Sequence, residues 1–169
     1  GFLLVKSDMV VPKNCCPPLS KMLVEWVKVH DVSNTIVLDS IASQNPSEED
    51  QIWGTVSIHG LEEDLEDLGI QIMKRGVLSG ASSMVSVECM EQEVPSYGVY
   101  AKANPQVPDA RAAANLLDKV SGLVDEDIDV DDLIERAEEL ESKYERLVNR
   151  AREVSEEMEE HEPISPMYG

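Results

Sequence analysis

The last third of the chain carries a strict heptad pattern, and this pattern constrains the fold more than any other feature. Between residues 133 and 158, apolar or small residues recur in alternating steps of four and three: Leu133, Ala137, Leu140, Tyr144, Leu147, Ala151, Val154 and Met158. Two such positions in every seven predict a helix whose narrow seam packs against another helix. Neither glycine nor proline interrupts residues 130–160. At 1.5 Å per residue, the predicted helix is roughly 45 Å long.

The partner of this seam has two interpretations. A compact body built from the preceding residues would be about 35 Å across, so the helix either overhangs its own domain or packs on a second subunit of a homo-oligomer. A helix lying on its own body shows a similar stripe, usually wider and with a period of 3.6 residues. The sequence leaves both interpretations open, and in both the seam is structural.

Acidic residues crowd both ends of the predicted helix. Those of residues 125–132 complement the helix dipole, and Asp129 or Asp131 can cap free amides. At the other end the glutamates of residues 156–162 oppose the dipole, and Pro163 forbids continuation. We therefore predict a long acidic helix over residues 125–162.

A flexible tail is predicted over residues 163–169, and it ends in Met167, Tyr168 and Gly169. The tyrosine ring offers contact area and a hydroxyl group, and the terminal carboxylate can pair with a lysine or arginine. A mobile tail with this ending is a plausible ligand for a pocket on another protein.

Charge and composition exclude several classes of function. The net charge of −20 argues against nucleic-acid binding and against anionic membrane surfaces. Residues 125–169 hold 17 acidic and 5 basic side chains. A salt-adapted proteome also produces acidic chains, but it would spread the charge over the whole surface. No apolar run reaches the ~20 residues that a membrane span needs.

Three cysteines, two of them adjacent, do not form a disulfide framework, which favours a reducing cytoplasm. Metal sites need three or four ligands at suitable spacing, and the cysteines and histidines here are scattered. We expect no metal and no cofactor. Because the chain opens on Gly1 rather than methionine, we interpret it as a fragment or a processed chain.

Residues 1–124 alternate strand-like and helix-like segments, which predicts one α/β domain with parallel strands and crossover helices. Strands are predicted at 2–6, 34–38, 52–58, 70–73 and 97–102, and helices at 19–30, 61–68, 81–92 and 110–123. The first helix should bury Leu19, Met22, Leu23, Trp26, Val27 and His30. Asp109 is a good N-cap for the last of these helices.

Two places could carry chemistry. Asp8 and Asp39 would lie just beyond the carboxyl ends of neighbouring strands, where open α/β sheets bind ligands. No histidine or lysine motif accompanies them, so strand termination explains them better than acid–base work. The small residues of Gly76–Ser83 precede a helix and can hold an anion, but they match no known phosphate-binding motif. Close packing of strand and helix is the favoured interpretation.

Taken together, several segments resemble the proteasome assembly chaperone family, which includes the second eukaryotic assembly chaperone and its archaeal homologues. They are Phe2 to Asp8, the Glu25-Trp26 helix, the strand from Tyr97 to Asn104, Pro108-Asp109-Ala110-Arg111-Ala112-Ala113, and Asp127 to Val130 with the Glu-rich helix. The order of these segments carries the resemblance. The ending Met167-Tyr168-Gly169 is similar to the HbYX pattern (hydrophobic, tyrosine, any residue).

This resemblance implies a three-layer α/β/α sandwich, phosphorylase-like but without that activity, followed by the long helix and the tail. It implies a homo-oligomer that binds α subunits of the proteasome 20S core particle without ATP. The HbYX ending implies docking by Met167, Tyr168 and Gly169. Gate opening is the alternative outcome, and an enzyme using Asp8, Asp39 and the Ser79-Gly80 loop is the rival class. Family members normally begin with a further strand, a Gly-rich turn and a helix, which this sequence lacks.

Overall fold

A computed structural model describes residues 1–43, 51–77, 79–103, 105 and 109–160; for 137, 141, 145, 149 and 151–160 it describes the backbone alone. The elements follow the order α1 (Cys16–Val29), β1 (Thr35–Ala42), β2 (Ile52–Val56), α2 (Glu62–Asp67), β3 (Gln71–Ile72), α3 (Ala81–Glu91), β4 (Ser96–Ala103), α4 (Ala110–Val124) and α5 (Asp131–Glu160).

The four described strands form one sheet in the order β1-β4-β2-β3. β1 runs parallel to β4 over its whole length, from the Thr35–Ser96 pair to the Ala42–Ala103 pair. β2 runs antiparallel to β4, and β3 is parallel to β2. The prediction of parallel strands throughout is therefore wrong. Residues 43–51 are too few for the crossover that a parallel return requires, so β2 re-enters the sheet in the opposite direction.

Helices cover both faces of the sheet, which confirms the predicted three-layer α/β/α architecture. On one face, α2 and α4 enclose a cluster of Ile52, Leu65, Ile70, Tyr97, Val99, Ala101 and Ala112. On the other face α3 lies against β1 and β4, and α1 packs on α3. Val24, Cys89 and Val94 form the smaller cluster there. β4 is the centre of the molecule, because every residue from Ser96 to Ala101 is buried.

The first residues of the chain differ from the prediction. Phe2–Lys6 forms no strand, and Phe2, Leu3, Leu4 and Val5 are between 65% and 76% exposed. α1 also differs, because three residues predicted to be buried, Met22, Trp26 and His30, are exposed. The segment and the helix stripe are apolar, but the described chain supplies no surface to cover them.

α5 confirms the predicted long helix but begins at Asp131, six residues after the expected start. The Asp129 carboxylate accepts a hydrogen bond from the Asp131 amide at 3.0 Å, and the Val130 carbonyl accepts from the Leu133 and Ile134 amides. Val130 is therefore at the N-cap position, and Asp129 satisfies the first helical amide from the residue before it. Asp125 instead ends α4 in a left-handed conformation. None of the described helices combines the length and the apolar character that a bilayer crossing requires.

Candidate functional site

The first turns of α5 are attached to the body. Leu133 and Ile134 are half-buried, and this end of the helix contacts α4. The Arg111 guanidinium lies 4.0 Å from the Glu138 carboxylate, between two exposed side chains. An exposed pair at this distance adds little stability, so the apolar contacts of the first turns hold α5 in place.

Beyond these turns the heptad seam faces solvent. Leu140, Tyr144 and Leu147 are 50%, 42% and 65% exposed, so the described part of the chain leaves them largely uncovered. The surrounding surface is charged, with Lys143 bonded to Glu139 at 3.3 Å. Of the other predicted seam residues, Leu133 is half-buried, while Ala137, Ala151, Val154 and Met158 lie on the helix backbone without described side chains. The described part of the chain therefore leaves Leu140, Tyr144 and Leu147 largely uncovered, and the role of the seam stays a prediction.

The predicted docking residues Met167, Tyr168 and Gly169 lie outside the described residues, as does all of 161–169. Their proposed role stays a prediction. The described structure bears on it only through α5, whose thirty residues extend about 45 Å at the usual rise. That length separates Glu160 from the turns of α5 that contact the body.

A second candidate site is a cavity of about 410 Å³ at the carboxyl ends of β1 and β4, beside the first turn of α3. Asp39, Ser79, Ser83, Tyr100 and Pro105 are among the residues that line it. The structure thus brings Asp39 and the Gly76–Ser83 segment together. The prediction that the strand ends at Asp39 is wrong, because β1 continues to Ala42.

The polar groups of this cavity are largely engaged with one another. The Asp39 carboxylate accepts from the Ser40 amide at 2.7 Å, and the Ser83 hydroxyl donates to the Ser79 carbonyl at 3.3 Å. The Tyr100 hydroxyl lies 3.1 Å from that of Ser86 in a buried pair. No histidine, lysine or arginine is found among the described lining residues. Asp39 carries the one carboxylate of the described lining, and it is the group there that could act as a base.

The remaining sequence candidates lie apart. Asp8 is exposed and pairs with Lys6 at 3.0 Å, and it is not among the residues that line the cavity with Asp39. Cys16 and Cys89 are buried and Cys15 is exposed, all as free thiols. No cluster of potential metal ligands occurs in the part of the chain that the structure describes.

Of the histidines, His30 contacts the Trp26 carbonyl at 2.8 Å and stacks on the Trp26 ring. His59 forms an exposed pair with Glu62 at 2.8 Å. Hydrogen bonding to Glu62 raises the pKa of His59, and the same bond lowers the pKa of Glu62. Both contacts are local, since the partners are three or four residues apart. These contacts bring neither histidine to the cavity residues or to another candidate ligand.

A polar pair that joins β4 to α2 was not predicted from the sequence. The Tyr97 hydroxyl donates to the Asp64 carboxylate at 2.5 Å, joining β4 to α2. Burial, and then the hydrogen bond to Asp64, raises the pKa of Tyr97 to about 12. The two residues are 33 positions apart, and no local pattern connects them. The pair links a helix to the central strand, and neither residue is among those that line the cavity.

Comparison with known proteins identifies the family of this chain. The model of the PAC2 family matches residues 1–148. The chain belongs to the PAC2 family. The match extends from the first residues through the body and into α5, and it stops before the tail. Membership of this family therefore does not bear on residues 161–169.

Known PAC2-like structures share the fold. The chain superimposes on Pyrococcus furiosus PbaA, an archaeal homolog of proteasome-assembly chaperone, with a TM-score of 0.79, 24% identity and coverage of 91% of this chain and 65% of PbaA. For P. furiosus PbaB, an archaeal proteasome activator, the TM-score is 0.73 at 18% identity, with 83% and 62% covered. An uncharacterized protein of Methanocaldococcus jannaschii is 23% identical over 88% of this chain and 61% of its own length. The chain thus spans less than two thirds of these relatives.

Proposed function

We propose that this PAC2 protein is a non-enzymatic, ATP-independent chaperone of proteasome assembly that acts in the cytoplasm on α subunits of the 20S core particle. Two findings support the proposal: the PAC2 family match, and a fold shared with a homolog of proteasome-assembly chaperone. The observation that carries it is α5, a long acidic helix whose seam is uncovered beyond the first turns. Such a helix would hold a docking segment away from the body.

In this proposal the docking segment is Met167, Tyr168 and Gly169. The Tyr168 ring would enter a pocket on an α subunit, and Met167 would pack beside it. The Gly169 carboxylate would pair with a lysine of that subunit. The exposed seam residues Leu140 and Leu147 would join helices of different subunits into a homo-oligomer. Several weak tails on one oligomer gain affinity through effective concentration.

The test is capture of recombinant α subunits by the full chain, measured by sizing and native mass. Tyr168→Ala, or one residue added after Gly169, should reduce binding at least tenfold, because the first removes the ring and the second moves the terminal carboxylate one residue further from it. Ser165→Ala is the matched control in the same tail and should bind like the parent. Unchanged binding by Tyr168→Ala and by the extended chain would refute the docking role.

Salt separates the two parts of the proposed contact. Pairing of the Gly169 carboxylate with a lysine should weaken as ionic strength rises from about 0.05 to 0.5 M, because the Debye length falls. An apolar contact of Tyr168 and Met167 should persist over that range. Binding that does not change with salt would remove the ion pair from the proposal and leave the tyrosine.

A gate-opening activator is the second candidate function, favoured by the structural likeness to PbaB, an archaeal proteasome activator. The same tail would dock on an assembled core particle. Hydrolysis of a fluorogenic peptide by the complete core particle distinguishes the two functions. Stimulation that depends on Tyr168 would favour the activator, whereas faster assembly of α subunits without stimulation would favour the chaperone.

A further inference from the structure

The cavity at the carboxyl ends of β1 and β4 combines acidic, hydroxyl and apolar residues. Parallel pairing places Asp39 opposite Tyr100, and Ser83 lines the cavity from the first turn of α3. Its volume of about 410 Å³ lies within the range of pockets that bind small molecules, roughly 300–1,000 Å³. The cavity is therefore large enough for a ligand of that size class.

The Asp39 carboxylate has one of its two oxygens available. The first oxygen accepts from the Ser40 amide at 2.7 Å, and the second makes no hydrogen bond or ion pair with the described residues. No lysine, arginine or histidine of the described lining neutralises this charge. An ionised carboxylate accepts hydrogen bonds and donates none. A ligand in the cavity must therefore present a donor to Asp39.

Hydroxyl groups supply further hydrogen-bonding capacity. The Ser83 hydroxyl donates to the Ser79 carbonyl at 3.3 Å, and its oxygen can still accept. The Tyr100 hydroxyl pairs with that of Ser86 at 3.1 Å, which uses one of the bonds that a phenol can make. Because a hydroxyl both donates and accepts, these groups match ligand hydroxyls better than a carbonyl, which only accepts, or an ammonium, which only donates.

The polar character continues from Tyr100 into the body, at the centre of the sheet. Thr55 of β2 lies opposite Gly98 of β4, and a Cβ atom at Gly98 would collide with both the Thr55 and the Tyr100 hydroxyl oxygens. The Thr55 hydroxyl is buried and has no hydrogen-bond partner among the described residues. A buried hydroxyl without a partner opposes stability. Packing therefore does not explain the polar groups on this face, whereas the opposite face holds a largely apolar cluster.

We propose that the cavity binds a small uncharged polyol of about monosaccharide size. One ligand hydroxyl donates to the available oxygen of Asp39, and neighbouring hydroxyls exchange hydrogen bonds with Ser83 and Tyr100. The C–H groups of the ligand lie against Ile41 and Pro105 of the lining. The cavity belongs to the body of the protein, so this proposal does not rest on the docking tail or on the seam of α5.

Charge favours an uncharged ligand over ionic ones. The chain carries a net charge of −20 and Asp39 lines the cavity, so phosphate esters and carboxylates are repelled. A cation finds similar attraction at the many carboxylates of α2 and α5, so charge alone does not concentrate it in the cavity. A wholly apolar ligand would take water from Asp39 without replacing its hydrogen bonds. A molecule with several hydroxyls and no charge avoids all three costs.

The test is titration of the full chain with D-ribose and with D-glucose, followed through the amide signals in two-dimensional NMR spectra. With at least one sugar, the amides of Asp39, Ser83 and Tyr100 should shift in a saturable manner, with a dissociation constant in the millimolar range. D-Ribose 5-phosphate should bind at least tenfold more weakly than D-ribose, because it adds a negative charge.

Variants separate the cavity from the rest of the surface. Asp39→Asn should weaken binding at least tenfold, because it removes a hydrogen bond to a charged group while retaining an oxygen for the Ser40 amide. Ser83→Ala removes a second lining group and should weaken binding independently. Asp118→Asn is the matched control, since it removes the same charge from α4 outside the cavity, and it should bind like the parent.

Three results would overturn the proposal. The first is the absence of saturable shifts of the lining amides with either sugar. The second is binding that both Asp39→Asn and Ser83→Ala leave unchanged, which would place the sugar elsewhere on the surface. The third is tighter binding of D-ribose 5-phosphate than of D-ribose, which would assign the cavity to an anion. Capture of α subunits by the tail is measured separately and does not depend on any of these results.

Discussion

β4 and α5 are held in place by different kinds of interaction. β4 has six consecutive buried residues and strand neighbours on both sides, so contacts distant in sequence determine its position. α5 has no buried residue among those whose side chains are described, and its order comes from i to i−4 hydrogen bonds, a cap and charge pairs on its surface. The same chain therefore contains one region that depends on tertiary packing and one that depends on local interactions.

The sharpest contrast comes from truncating one leucine in each region. Leu65 is completely buried beside β2, so Leu65→Ala should lower the free energy of unfolding by about 2–5 kcal/mol. Leu147 is 65% exposed on α5, so Leu147→Ala should change it by less than about 0.5 kcal/mol in dilute protein. Urea denaturation measures both. Equal losses would show that α5 packs on the body more closely than its exposure indicates.

Alkaline pH should act on the body through Tyr97. Its pKa is raised to about 12, while an unfolded chain titrates near 10, so stability from this group is complete below about pH 10 and is lost as pH rises through about 12. We expect a loss of roughly 1–3 kcal/mol across that window. Urea midpoints measured between pH 9 and 12 test this expectation. Tyr97→Phe should lose less stability than the parent between pH 9 and 12. Urea midpoints that fall equally with pH in both proteins would contradict this expectation.

An aspartate bonds an amide at the start of both α4 and α5, and its loss should have different consequences in the two regions. The Asp109 carboxylate accepts from the Ala112 amide at 2.9 Å, and the Asp129 carboxylate accepts from the Asp131 amide at 3.0 Å. Asp109→Ala should lower the free energy of global unfolding by about 1 kcal/mol, because α4 belongs to the core. Asp129→Ala should leave the unfolding midpoint unchanged and increase amide exchange in the first turn of α5. A matching drop in the midpoint would mean that α5 unfolds together with the body.

The smallest effect is expected at the exposed pair of His59 and Glu62. Glu62→Gln should return the raised pKa of His59 towards its ordinary value, because the hydrogen bond to the carboxylate is the main cause of the shift. NMR titration of the imidazole measures the change. The pair stabilises the fold at pH values between the pKa of Glu62 and the pKa of His59. This stabilisation is lost as pH rises through the pKa of His59 or falls through the pKa of Glu62. An unshifted titration in the parent would show that the pair does not form in solution.

Sequence patterns predicted the helical elements well where the signal is local. The Asp109 cap, the helix from Ala110 and the long acidic helix all depend on residues within a few turns, and the structure confirms them. The direction of β2 and the extent of β1 beyond Asp39 were missed, because strand pairing is decided by partners far along the chain. Residues 2–6 have a strand pattern, but a strand also needs a neighbour, and the described chain places none beside them.

The candidate sites divide in the same way. The exposed seam of Leu140 and Leu147 follows from heptad spacing, and the order of segments was sufficient to indicate the family that the comparison with known proteins identifies. Asp39 and Tyr100 line one cavity with Ser83 because β1 pairs with β4 in parallel and Asp39 lies opposite Tyr100. No sequence motif predicted this arrangement. The bond from Tyr97 to Asp64 likewise depends on α2 folding back over β4.

By itself the sequence determined the start of α4 at the Asp109 cap, the acidic character of the long helix and its heptad seam, since each depends on neighbours within a few residues. Tertiary structure alone decided which strand lies at the centre, the direction of β2 and which polar groups meet between elements. The physical reason is that burial and strand pairing are properties of pairs distant in sequence. Their free energy becomes available only after the chain has closed on itself.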